Sequence, residues 1–83
     1  MEERIALIGI IVEDRASVAP MNEVLHCYGE YVIGRMGLPY AKRDVAVISI
    51  ALDAPAEIVS AITGKLGMLP GVTAKSMMAK MAK

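Results

Sequence analysis

Two stretches of this 83-residue chain restrict its fold more than any others. "RIALIGIIV" (Arg4–Val12) and "VAVISIAL" (Val45–Leu52) are rich in β-branched residues and almost continuously apolar. Side chains of a strand alternate between two faces, so each run reads as a strand buried on both faces, in the middle of a sheet. Each run is also followed by the same pattern. "IGIIVED" (Ile8–Asp14) echoes "ISIALD" (Ile48–Asp53), and a helical segment, a glycine and a further strand come after each.

After the first run, Asp14 and Ser17 are N-cap candidates. Pro20 is tolerated only in a first helical turn, so the helix starts between Arg15 and Val18. Val18, Met21, Leu25 and Tyr28 fall on one face of it, and Gly29 is a natural left-handed stop. "YVIGRMGLPY" reads as a strand whose Gly34, Gly37 and Pro39 mark an edge that frays or bulges, and "AKRD" is a charged turn. After the second run, Asp53 is the expected cap of a helix with Pro55 near its first position. Its buried stripe is Ile58, Ile62, Leu66 and Leu69, and Gly67 is its expected left-handed end. "LPGV" is a tight turn, "VTAKSMM" a fourth strand, and the closing "AKMAK" is expected to fray.

The order β-α-β-β-α-β predicts an α+β sandwich of the ferredoxin-like or ACT-like kind: a single domain over residues 1–83, with a four-stranded antiparallel sheet and two helices on one face. Matching the halves by register assigns Ile8, Ile10 and Val12, with Ile48, Ile50 and Leu52, to the helix side. The opposite face then presents Leu7, Gly9, Ile11, Val45, Val47, Ser49 and Ala51, apolar with small residues at its centre. A domain this small cannot bury a composition that is 55% hydrophobic, so the open face is expected to meet a second copy, in a dimer or tetramer.

Nine basic residues balance nine acidic ones, without the basic patch that nucleic acid or an anionic membrane would select. Ile5–Val12 is too short to span a bilayer and follows the acidic "MEER", so a cytoplasmic protein is expected. The single cysteine, Cys27, permits no internal disulfide and fits a reducing compartment. It reads as a small packed residue, with no base placed to activate it. The stretch "ITGKLGMLPGV" (Ile62–Val72) resembles a phosphate loop only superficially. Gly64-Lys65 lies near a helix C-terminus, the wrong end of the dipole for an anion, and neither Ser nor Thr follows the lysine.

Neighbouring helical residues point about 100° apart, so His26 and Cys27 do not easily share a metal ion. Asn22, Glu23 and His26 do lie within one turn of one another. Glu13, Asp14 and Arg15 occupy the first strand-to-helix junction, where capping by Asp14 competes with a role in effector binding. Arg35 on the second strand is a solvated edge charge or an interface or ligand contact. These five, Glu13, Asp14, Arg15, His26 and Arg35, are the candidate ligand-binding residues. No nucleophile–base pair, carboxylate dyad, cofactor motif or metal-ligand set is present, which argues against an enzyme, a cofactor or a resident metal.

In order and spacing, "VEDR", "NEVLH", "GRMGLPY", "VAVISIALDAP" and "AITGKLGMLPGVTAKS" resemble the iron-only hydrogenase system regulator family over roughly residues 4–78. The resemblance implies a ferredoxin-like fold akin to the C-terminal domain of nickel-responsive repressors, and an association with [FeFe]-hydrogenase systems. The repressors' metal site of several histidines and a cysteine does not carry over to a chain with one of each. No counterpart of their DNA-binding domain is expected in these residues. Regulation would then act through a small effector or through contact with a hydrogenase-system protein. The competing expectation is a structural or assembly partner without a small ligand.

Overall fold

In a computed structural model, which describes residues 2–80, the chain forms strands β1 (Glu3–Val12), β2 (Val32–Tyr40), β3 (Val45–Pro55) and β4 (Val72–Met78). Helices α1 (Val18–Cys27) and α2 (Ala56–Gly67) join the strands of each half, and short 3-10 turns precede and follow α1. The sheet is antiparallel with order β2-β3-β1-β4, the ferredoxin-like arrangement the sequence predicts. The two apolar runs are its central strands.

The division of faces follows from the alternation of side chains. Ala6, Ile8, Ile10 and Val12 of β1 and Ile48, Ile50, Leu52 and Ala54 of β3 are buried against Met21 and Leu25 of α1 and Val59, Ile62 and Leu66 of α2. Burying a side chain of this size fully is worth about 1.5–3 kcal/mol, so this single layer supplies most of the driving force for folding. Of the expected helical stripes, Tyr28, Ile58 and Leu69 are partly buried against the core, and one position lies outside it. Val18 is exposed at the start of α1, and Val59 rather than Ile58 is the fully buried residue in the first half of α2.

Helix ends differ more from expectation. Asp53 does not cap α2. It is an exposed strand residue opposite Ile5, because the β1–β3 ladder continues to Glu3↔Pro55 and holds the backbone extended. Pro55 occupies the N-cap position, and Glu57 places a carboxylate in the first turn, where the helix dipole favours it. Neither Gly29 nor Gly67 is left-handed: α1 is capped by Tyr28 and α2 by Met68, both at negative φ.

The left-handed glycine is Gly71, at φ 68°. It sits in the turn before β4, which is pinned to the β1–α1 junction from the other half of the chain. The Glu13 N–H donates to the Gly71 carbonyl at 2.7 Å. The buried Ser17 hydroxyl donates to the Pro70 carbonyl at 2.6 Å. A Cβ on residue 71 would meet the Asp14 Cβ at 2.7 Å and its backbone nitrogen at 3.0 Å. Ala79 is also tied down: its N–H donates to the Ile5 carbonyl at 2.8 Å, and the Arg4 guanidinium donates to the Ala79 carbonyl at 2.6 Å. The expected fraying therefore does not include Ala79, and Met81, Ala82 and Lys83 lie outside the described residues.

These contacts separate the glycines energetically. Gly71→Ala is expected to destabilise by more than the roughly 1–2 kcal/mol of a left-handed Cβ alone, because the Asp14 contact adds to it. Gly64→Ala, inside α2 with open space around its Cβ, is expected to stabilise by about 0.5–1 kcal/mol. Urea unfolding of the two variants beside the wild type measures both signs.

Candidate functional site

The sequence-derived candidates do not converge on one site. At the β1–α1 junction, the Asp14 carboxylate accepts from the Ala16 N–H at 3.0 Å and caps the turn that leads into α1. Glu13 is fixed through its backbone to Gly71, as described above. Arg15 pairs with Asp44, a left-handed residue in the β2–β3 turn, at 2.9 Å. Both partners are largely solvent-exposed, so the pair is worth little energetically. It spans a cavity of about 210 Å³ whose walls include Val12, Val18, Pro39, Tyr40 and Ala46. Capping and turn-bridging account for Asp14 and Arg15.

His26 and Arg35 do come together. His26 lies on α1 one turn after Asn22, and Arg35 lies on β2 opposite Ile50. The Arg35 Nη2 donates to the Asn22 Oδ1 at 2.8 Å. These three side chains rim an open groove between α1 and β2, with Leu25, Val32 and Ile50 lining its apolar part. A bulge makes this possible. Val32 is opposite Leu52 while Gly34 is opposite Ala51, so Ile33 is an additional residue and the alternation of β2 shifts by one. Arg35 consequently falls on the helix side of the sheet.

Cys27 is exposed at the last position of α1, not packed as expected. The buried residues of α1 are Met21 and Leu25, and position 27 lies about 200° around the helix from Leu25. Lys65 stands over the Tyr28 ring, with Nζ 5.2 Å from its centroid, so it joins the C-terminal ends of the two helices. Tyr28, as a hydrogen-bond partner first and by charge second, raises the Lys65 ammonium above its ordinary pKa. Burial first, and then the Glu30 carboxylate, raise the Tyr31 phenol. Among the described residues, no three histidine, cysteine or carboxylate side chains gather as metal ligands, and no helix is long and apolar enough to cross a membrane.

The largest continuous feature is the open side of the sheet. Its rows, read from β2 to β4, are Gly34–Ala51–Leu7–Met77, Met36–Ser49–Gly9–Lys75 and Leu38–Val47–Ile11–Thr73, with Tyr40–Val45 beyond. All seven residues expected on this face lie on it. Leu7, Ile11 and Val47 are 40–45% exposed although they belong to central strands. Sequence reasoning missed the contributions of Met36, Leu38, Tyr40 and Met77 from the edge strands. The alternation of β2 reveals its three only once the bulge is placed, whereas Met77 follows from the regular alternation of β4 opposite β1.

A family model described as "TM1266-like: Iron-only hydrogenase system regulator, putative" matches residues 4–76. No curated protein matches the sequence. Among solved structures, the uncharacterized protein TM1266 from Thermotoga maritima is 34% identical, superposes with a TM-score of 0.90, and is matched over 95% of this chain and 100% of its own. The C-terminal domain of the MgtC protein from Mycobacterium tuberculosis is 12% identical, with a TM-score of 0.73 over 98% of this chain and 93% of that one. A formyltetrahydrofolate deformylase from Pseudomonas putida is 10% identical, with a TM-score of 0.65 over 92% of this chain and 29% of its own. The last two show the fold alone.

The geometry around Lys65 and His26 sets expectations for ligands. ATP and GTP are expected to leave the melting temperature unchanged in the wild type and in Lys65→Ala, since Lys65 is at the C-terminal end of α2. Nickel is expected to show no stoichiometric sub-micromolar site in calorimetry, and His26→Ala to change only weak binding. A nucleotide-dependent rise lost in Lys65→Ala, or a tight nickel site lost in His26→Ala, would contradict these assignments.

Proposed function

The chain belongs to the TM1266-like family, described as "Iron-only hydrogenase system regulator, putative", and we propose that it acts as a non-enzymatic regulatory module that assembles with further copies of itself through the open face of its sheet. The observation that carries this reading is that face. Two helices cover one side of four strands, and the uncovered side is apolar across β2, β3 and β1.

The area and the distribution of charge both suit a second copy. Four strands about 4.8 Å apart and seven to eleven residues long present a face on the order of 600 Å². That approaches the roughly 800 Å² per partner of a stable interface. Gly9 and Ser49, paired in the central row, keep the middle of the face low, which suits the close, flat packing of one sheet on another. Charges stand at the margins: Lys75 on edge strand β4, and Asp53 and Glu3 toward one end. Because the same patch meets itself in a two-fold dimer, the interface requires no second surface. In this reading the regulatory signal is a small effector that the assembled module senses. The competing reading, an assembly partner for a hydrogenase-system protein, would place a different protein on the same face.

Light scattering at micromolar concentration separates the two. The wild type is expected to be a dimer or tetramer. Val47→Glu, which puts a charge beside Ile11 and Leu38, is expected to give a folded monomer with unchanged circular dichroism. A monomeric wild type would reject self-assembly and leave the face to another protein. A thermal-shift screen against metabolites tests the effector, since a ligand selective for the native state must raise its stability.

A further inference from the structure

We propose that the groove between α1 and β2 binds a small carboxylate with an apolar body, its carboxylate held by Arg35 and His26 and its hydrocarbon part lying against Leu25, Val32 and Ile50. The site deepens the regulatory reading above, on which it rests for its biological meaning, by naming the class of effector and where it sits.

The anchor of the site is Arg35. A guanidinium carries five N–H donors in a planar fork. One of them is used on the Asn22 Oδ1, and no carboxylate pairs with Arg35 among the described residues, where the one ion pair is Arg15–Asp44. The bond to Asn22 therefore orients the fork and leaves part of it available. A planar fork matches a carboxylate in bidentate geometry, and such charge-assisted bonds are roughly twice as strong as neutral ones. His26, one turn from Asn22, brings an imidazole N–H to the same rim. Behind the rim the groove is apolar. Leu25 and Ile50 are core residues and Val32 packs against the core, so this part of the wall is rigid. The volume is about 380 Å³, within the range of small-molecule sites.

The same features argue against other ligands. Inorganic phosphate would gain the fork but nothing from the apolar wall, and an uncharged apolar molecule would gain the wall without the fork. One histidine with no carboxylate or thiol beside it in the groove does not make a cation site.

The test is a titration of isotope-labelled wild-type protein followed by amide NMR, with isovalerate, hexanoate and phenylacetate as probes. Isoamyl alcohol is the uncharged control and inorganic phosphate the apolar-free control. At least one carboxylate is expected to shift the amides of Asn22, His26, Val32 and Arg35 saturably, while both controls bind about tenfold more weakly or not at all. Arg35→Met is expected to weaken binding by about tenfold or more, and Arg35→Lys, which keeps the charge without the fork, by an intermediate factor. Amide dispersion in each variant reports whether the fold is intact. If Arg35→Met does not fold, Asn22→Leu, which releases the fork from its anchor, is expected to weaken binding by severalfold. The proposal is overturned if no carboxylate gives saturable shifts, if phosphate binds as tightly as the best carboxylate, or if folded Arg35 or Asn22 variants bind like the wild type. Because the readout is local to the groove, failure here leaves the light-scattering result for Val47→Glu intact, and failure of assembly leaves these titrations interpretable.

Discussion

A strand has two faces, and among the described residues two α-helices are there to cover four strands. Everything else in the structure depends on that mismatch. Ile8, Ile10, Ile48, Ile50 and Leu52 take the covered side and are essentially sealed from water. Leu7, Ile11 and Val47, alternating with them along the same central strands, are left on the other. Polar residues at the second set of positions would have made the face a solvated one, as in many half-covered antiparallel sheets. Here it remains apolar with small residues at its centre, the composition of a surface that packs against another sheet.

The two halves of the sandwich are held in register by one junction as much as by the sheet. The β1–α1 turn and the turn before β4 are distant in sequence but share the Ser17–Pro70 and Glu13–Gly71 hydrogen bonds. The approach of Asp14 leaves no room for a side chain at residue 71. A buried hydroxyl without a partner costs roughly 1–3 kcal/mol, so Ser17 at this junction is specified almost as strictly as a core residue. It also explains why the left-handed glycine is Gly71 and not Gly67. The end of α2 needs no special conformation, whereas the close approach of a second chain segment does.

That difference marks what the sequence could and could not disclose. Element order, central strands, the assignment of β1 and β3 side chains to faces and the exact span of β4 follow from periodicity, because alternation is a local property. The role of Gly71 and the strand state of Asp53 depend on pairing with segments far along the chain, where local cap and turn preferences are overruled. The groove was half visible. Asn22, His26 and Arg35 could each be noticed, and Gly34 and Gly37 signalled irregularity. Only the position of the extra residue, Ile33, decides that Arg35 faces α1 and not the open sheet. A one-residue change of register reverses every side chain beyond it.

Strand β2 thereby joins the two surfaces of interest. Arg35 reaches the groove, while its neighbours Gly34 and Met36, and Leu38 beyond, lie on the open face. The strand is at the sheet edge, paired on one side only, and is interrupted by the bulge and by glycines at 34 and 37. It is therefore the strand least constrained by its neighbours. A ligand that fixes Arg35 also fixes the backbone from which Met36 projects, and a second sheet packed on Met36 and Leu38 fixes the backbone from which Arg35 projects. If both events occur, they are thermodynamically linked, and the linkage is reciprocal: whatever occupancy of the groove does for assembly, assembly does for the groove. Alternate residues of one edge strand thus lie on two surfaces, and the bulge at Ile33 is what divides them between the two.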